Sequence, residues 1–133
     1  MRRQAREIAL QILFQTEFTP QVSIDDIFRM TEVKPDSTVK EYADQVIKGV
    51  NANKTKIDSK IAEASRNWKI ERMAAVDRNL LRMAVYEMLF SNETLEPKIA
   101  INEAIELAKI YGNQESSAFV NGLLDQVVRN ERR

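Results

Sequence analysis

The chain has 133 residues with 20 basic and 20 acidic side chains, so its formal net charge is zero, and any nucleic-acid site must be a local patch rather than bulk positive charge. Cysteine and histidine are both absent, which excludes disulfides, thiol nucleophiles, histidine general bases and Cys/His zinc sites. With only 3 Gly and 3 Pro beside 44% hydrophobic and 30% charged residues, the composition suits helices around one core that removes roughly two thirds of the unfolded surface from water.

No run approaches the ~20 apolar residues of a membrane span. The start, MRRQARE, passes into an amphipathic pattern without a uniformly apolar leader, so the sequence reads as that of a soluble, cytoplasmic protein. The stripe Ala5, Ile8, Ala9, Ile12, Leu13, Thr16 predicts a first helix ending before Pro20. Arg2, Arg3 and Arg6 sit at its start, ahead of or beside the first acid at Glu7. Positive charge there opposes the helix dipole, a local misfit that favours a functional use.

Ser23 with Asp26 resembles a capping box for a short helix that points Ile24, Ile27 and Phe28 inward, before the polar break Lys34-Pro35-Asp36. Thr38 with Glu41 is expected to cap a third helix, whose stripe Val39, Tyr42, Ala43, Val46, Ile47, Val50 fits the helical period without a gap. Asn51-Ala52-Asn53 then weakens that helix or separates it from a fourth carrying Ile57, Ile61 and Ala64 toward Trp68. From about Ala75 to Phe90 a strongly apolar helix forms the centre of the core, with Asp77 placed to cap free amides at its start.

Pro97 interrupts the following loop. Ile101, Ala104, Ile105 and Ala108 define a sixth helix, with Glu103 and Glu106 early, Lys109 late and Gly112 as a left-handed stop. A last helix runs from about Ser116 to Asn130, with Phe119, Val120, Leu123, Leu124, Val127 and Val128 on one side. Close helix packing is the expected reason for Gly122 in its middle. The predicted class is therefore all-α, about seven helices in two packed helical subdomains, about 1–53 and 54–133, of a single domain.

Chemistry on a substrate has little support. Glycines 49, 112 and 122 form neither a dinucleotide fingerprint nor a P-loop, and the acids form no calcium loop, so no catalytic residue, metal or cofactor is assigned. Arg2, Arg3 and Arg6 can instead be read as a phosphate-binding cluster, because guanidinium forks match phosphate oxygens; the alternative is an ordinary solvated terminus. Phe14 and Gln15 offer a stacking face and a base-edge donor and acceptor, and Phe119 behind the polar entry Asn113-Gln114-Glu115-Ser116-Ser117 offers another. Both phenylalanines can equally be core. Glu71, Asp77 and Arg78 are candidates for a charged contact with a protein partner.

Three ordered blocks are more specific: RRQAREIALQILFQ, NWKIERMAAVDRNLLRMAVYEMLF and IAINEAIELAKIYGNQESSAFVNGLLD. With combinations such as AVDRNLLR and FVNG, the chain resembles the NusB family of transcription antitermination factors along almost its whole length. The resemblance implies an all-helical fold of two subdomains. It also implies a non-enzymatic factor that binds the boxA element of nascent ribosomal RNA leader transcripts. There it pairs with NusE, a small-subunit ribosomal protein, and joins other Nus factors on RNA polymerase.

The same resemblance places RNA-facing positions on Arg2, Arg3, Arg6 and Phe14, and a second RNA-facing region on Glu115, Ser116 and Phe119. The NusE-facing surface falls around Glu71 and Asp77. Departures are Gln4 within the arginine run, Phe14 where a tyrosine is frequent and Ala118 where a lysine is frequent; these shift binding toward the partner complex. With about three phosphate contacts, the slope of log K against log salt is expected near ~−2. The rival reading is a helical protein-interaction module or homodimer that buries the Arg2 to Arg6 face and binds no RNA.

Overall fold

The computed structural model of the chain describes residues 2–132 apart from 22, 24, 27, 28 and 30–35. Among the described residues there are six α-helices and no strand: α1 (Arg2–Phe18), α2 (Ser37–Ala52), α3 (Lys54–Ala64), α4 (Ala75–Val85), α5 (Pro97–Tyr111) and α6 (Ser116–Glu131). The all-α class thus holds. Ser23 and Asp26 do exchange backbone-to-side-chain hydrogen bonds, at 3.4 and 3.1 Å. The inward side chains expected of the short helix there, Ile24, Ile27 and Phe28, lie outside the described residues.

Helix α4 is the hub and packs against each of the other five helices. A helix in that position must be apolar nearly all round. Leu80, Leu81, Met83, Ala84 and Val85 are accordingly buried in succession. Around it α1 pairs with α2, and α6 lies along α5 and α3. The stripes read from the sequence form one core: Ala5, Ala9, Ile12 and Leu13 of α1, Val39, Ala43, Val46, Ile47 and Val50 of α2, Ile57 and Ile61 of α3, and Val120, Leu124 and Val127 of α6. No helix among the described residues is long and apolar enough to cross a membrane.

Helix ends depart from expectation in three places. The cap of α2 is Asp36, whose carboxylate accepts from the Val39 N–H at 3.1 Å; Thr38 lies inside the helix rather than at its start. Asp77 does not cap α4, because Ala74 holds the cap position and makes no side-chain hydrogen bond. Gly112 ends α5 in an extended conformation, φ −93°, rather than a left-handed one. Its reason is space: a Cβ there would stand 2.4 Å from Ser116 Oγ and 2.8 Å from the Ala108 carbonyl oxygen.

Helix α4 also does not run on to Phe90 as a single α-helix. At Tyr86–Phe90 it widens into a π turn, closed by the Ser91 N–H donating to the Tyr86 carbonyl at 2.9 Å. This turn packs against α2, where Gly49 admits the Tyr86 ring; a Cβ at Gly49 would fall 2.1 Å from Tyr86 Cε1.

Gly122 is the reverse case and corrects the packing expectation. It is exposed, and a Cβ there would meet nothing within 4 Å. Since a mid-helix glycine costs roughly 0.5–1 kcal/mol relative to alanine, Gly122→Ala should stabilise the fold by about that amount. A higher urea midpoint at unchanged m-value is the expected result; an unchanged or lower midpoint would show that the glycine backbone is needed as it is.

Candidate nucleic-acid interface

The arginines at the start of α1 have three different environments. Arg2 is exposed and lies over the ring of Tyr42 on α2, with its guanidinium carbon 4.6 Å from the ring centre. Arg3 is also exposed and gives two hydrogen bonds to Glu103 on α5, at 2.9 and 3.1 Å. Arg6 is only 4% exposed and grips Glu87 of the π turn through a fork, Nε to Oε1 at 2.9 Å and Nη2 to Oε2 at 2.8 Å. Its Nη1 is 3.7 Å from Glu103. A phosphate can reach Arg2 and Arg3 from solvent, whereas Arg6 is committed to the interior.

Glu87 is 3% exposed and also accepts a short hydrogen bond from the Tyr42 hydroxyl. Burial, and then the bond to Glu87, push the Tyr42 hydroxyl up to about 12. Burial works against the charge on Arg6, but the bonds and charge of Glu87 outweigh it and hold that group above its ordinary value. Arg6 and the Tyr42 hydroxyl therefore both keep their protons through the physiological range, and the contacts to Glu87 anchor the helix that presents Arg2 and Arg3. Arg6 thus answers the misfit noted at the helix start: a buried carboxylate offsets it.

Further along α1, Phe14 and Gln15 are both exposed. At 1.5 Å per residue they stand roughly 18 Å along the axis from Arg2. Phe14 is 37% exposed and pairs with Phe18 across one turn, ring centres 5.1 Å apart. The two rings line a mainly apolar hollow of about 550 Å³ with Leu10, Val76 and Tyr111. The Tyr111 hydroxyl donates to Glu7 at 2.7 Å, tying the far end of α5 to α1.

The second expected region lies at the start of α6. Glu115 is exposed, and its N–H donates to Asn113 Oδ1 at 2.9 Å. Ser116 is not available to a ligand: its side chain is buried, with Oγ accepting from the Asn113 N–H at 3.0 Å. It closes the turn that carries Phe119. Phe119 is half-buried and meets Trp68 edge to face, ring centres 6.3 Å apart and planes 79° apart.

The charged residues expected to face a protein partner are also divided. Glu71, in a single turn of 3-10 helix at Ile70–Arg72, is exposed. Arg78 is turned inward: it pairs with Glu17 of α1 and donates to the Met73 carbonyl at 2.6 Å. Burial disfavours the charge of Glu17, but bonds from Arg78 and Asn79 prevail and hold its carboxyl below the usual range. Asp77 is buried, and its Oδ1 has no hydrogen-bond partner among the described residues. Neither Asp77 nor Arg78 is a free surface charge.

Sequence reasoning gives Trp68, Phe18 and Glu87 no functional role and reads Tyr42 only as part of a core stripe. For Glu87 a signal exists, since it is the one acid in the apolar run Met83–Phe90, and Arg6 lies on the same helical stripe as Leu10 and Leu13. An acid and a base each embedded in an apolar face point to a buried pair.

The family model described as the NusB family matches residues 3–129. The transcription antitermination protein NusB of Bdellovibrio bacteriovorus is 57% identical over 95% of this chain and 93% of its own length. That of Myxococcus xanthus is 40% identical over 95% and 93%. Among solved structures, NusB of T. maritima superposes with a TM-score of 0.86 at 36% identity, covering 97% of this chain and 91% of its own. A chain in a crystal structure described as antitermination factors NusB and NusE in complex with double-stranded RNA reaches 0.83 at 25% identity, covering 97% and 96%.

Proposed function

The chain belongs to the NusB family, and from that premise we propose that it is a transcription antitermination factor that binds single-stranded boxA RNA together with NusE. In this reading it acts in the cytoplasm by binding rather than by catalysis, and helps assemble an antitermination complex with other Nus factors on RNA polymerase. The observation that carries the reading is the whole-chain similarity to a protein solved with NusE and RNA.

Division of labour among the residues follows from their burial. Arg2 and Arg3 supply the phosphate contacts, while Arg6 fixes the helix that presents them and makes none itself. Phe14, Gln15 and Phe119 meet unpaired bases, the mode by which proteins read single-stranded RNA. Ser116 positions Phe119, and the exposed edge at Glu71, beside Asp77, faces NusE. Arg78 holds that edge in place through Glu17 and the Met73 carbonyl.

The test is fluorescence anisotropy of a labelled boxA-type RNA against the protein, alone and with NusE, beside an Arg2→Ala/Arg3→Ala double variant. Tighter binding with NusE is expected. The double variant should bind more weakly, with a salt slope shallower by about 1.4, the share of two phosphate contacts on a single strand. An unchanged slope would remove Arg2 and Arg3 from the interface, and no RNA binding even with NusE would overturn the reading.

A further inference from the structure

A second aromatic lies beside Phe119. Trp68 is 57% exposed, the largest side chain so placed, and its edge-to-face contact with Phe119 leaves flat ring faces of the pair for a third planar group. Between the segment 65–68 and α6 runs an open cleft of about 570 Å³, whose α6 wall carries the small residues Ala118 and Gly122 between Phe119, Leu123 and Gln126. Beyond its own helix, a Cβ at Gly122 would meet no described atom within 4 Å, so the wall is open above that turn.

Charge flanks the same cleft. Arg66 and Lys69, on either side of Trp68, are exposed and make no ion pair among the described residues, and Arg72 one turn on is likewise free. By contrast Arg3, Arg78 and Arg82 are all paired with carboxylates. An aromatic slot with unneutralised cations beside it matches a base and its own backbone phosphate. On the far side Gln126 donates its amide N–H to Asn130 at 2.8 Å, and its carbonyl oxygen has no donor among the described residues.

We propose that this cleft takes one unpaired nucleobase of the bound RNA, with Trp68 as a stacking platform beside Phe119 and with Arg66 and Lys69 on the adjoining phosphate. The inference rests on the RNA-binding reading and extends the bound strand past Phe119 to the segment between α3 and α4.

Trp68 is the sole tryptophan of the chain, so its emission reports this cleft alone. The experiment titrates the intact protein with a labelled single-stranded RNA, following anisotropy and tryptophan emission together, and repeats it with NusE alone. Expected is a saturable emission change at the anisotropy midpoint, roughly 5- to 150-fold weaker binding by Trp68→Leu, and partial recovery by Trp68→Phe. Both variants should retain the helical circular dichroism of the parent, since the indole is exposed. Anisotropy that rises while emission stays flat and Trp68→Leu binds as the parent would overturn the inference and leave the RNA reading standing. Emission that answers to NusE and not to RNA would assign the indole to a protein contact and equally overturn it. No anisotropy change with or without NusE would overturn the RNA reading and the inference together.

Discussion

Glu87→Ala is expected to cost about 3–5 kcal/mol of folding stability, the range seen when one partner of a buried ion pair is removed. Arg6 would remain buried and cannot shed its proton, and the Tyr42 hydroxyl would lose its acceptor. Glu103, 3.7 Å from Arg6, is the remaining acid within reach and is also engaged with Arg3. Against the 5–15 kcal/mol of a typical domain this is a large fraction. Urea denaturation measures it. The double replacement Arg6→Met/Glu87→Met should recover most of the loss, because an apolar pair leaves no orphan charge. A loss below about 1 kcal/mol for Glu87→Ala would mean that Arg6 escapes to solvent and that α1 is held by its apolar stripe alone.

The second large effect concerns recognition. Phe119→Ala should weaken RNA binding by about 1–3 kcal/mol, roughly 5- to 150-fold, if a base stacks on the ring. Since Phe119 also packs against the core, the alanine variant mixes lost stacking with lost packing. Phe119→Leu separates the two: it keeps an apolar side chain against the core and removes the aromatic face. Thermal melting near that of the parent, with anisotropy weakened as in the alanine variant, is the expected pattern. If the leucine variant binds RNA as the parent does, Phe119 serves packing and the stacking role is lost.

How much of this was legible in the sequence depends on whether the deciding force is local. The apolar stripes of α1, α2 and α6 are local, and most of each stripe falls on the buried face, although Leu10 of α1 is buried outside the expected set. The division between α2 and α3 at Asn53 was also visible as a possibility. Cap identity is less legible, because Asp36 and Thr38 are both good caps two residues apart and the chain path into α2 chooses between them. Gly112 and Gly122 show why a glycine alone is ambiguous: one makes room for Ser116, the other borders open space.

The candidate site was legible in residue type and less so in role. Arg6, Asp77, Arg78 and Ser116 look like surface polar residues in sequence, and only tertiary packing turns each inward. What replaces them at the surface, Trp68 with Arg66 and Lys69, sits in a short irregular segment where no periodicity separates exposed from buried.

The contact between Arg3 and Glu103 gives the arginine cluster an internal competitor. A carboxylate tethered within hydrogen-bonding distance acts at an effective concentration on the order of millimolar or above, so a lone anion must outbid it to occupy Arg3. A strand that engages the arginines and the aromatic positions at once meets that requirement through its other contacts. Glu103 therefore weakens the hold of any small phosphate on Arg3, while a polymer already bound through its other contacts can displace the carboxylate.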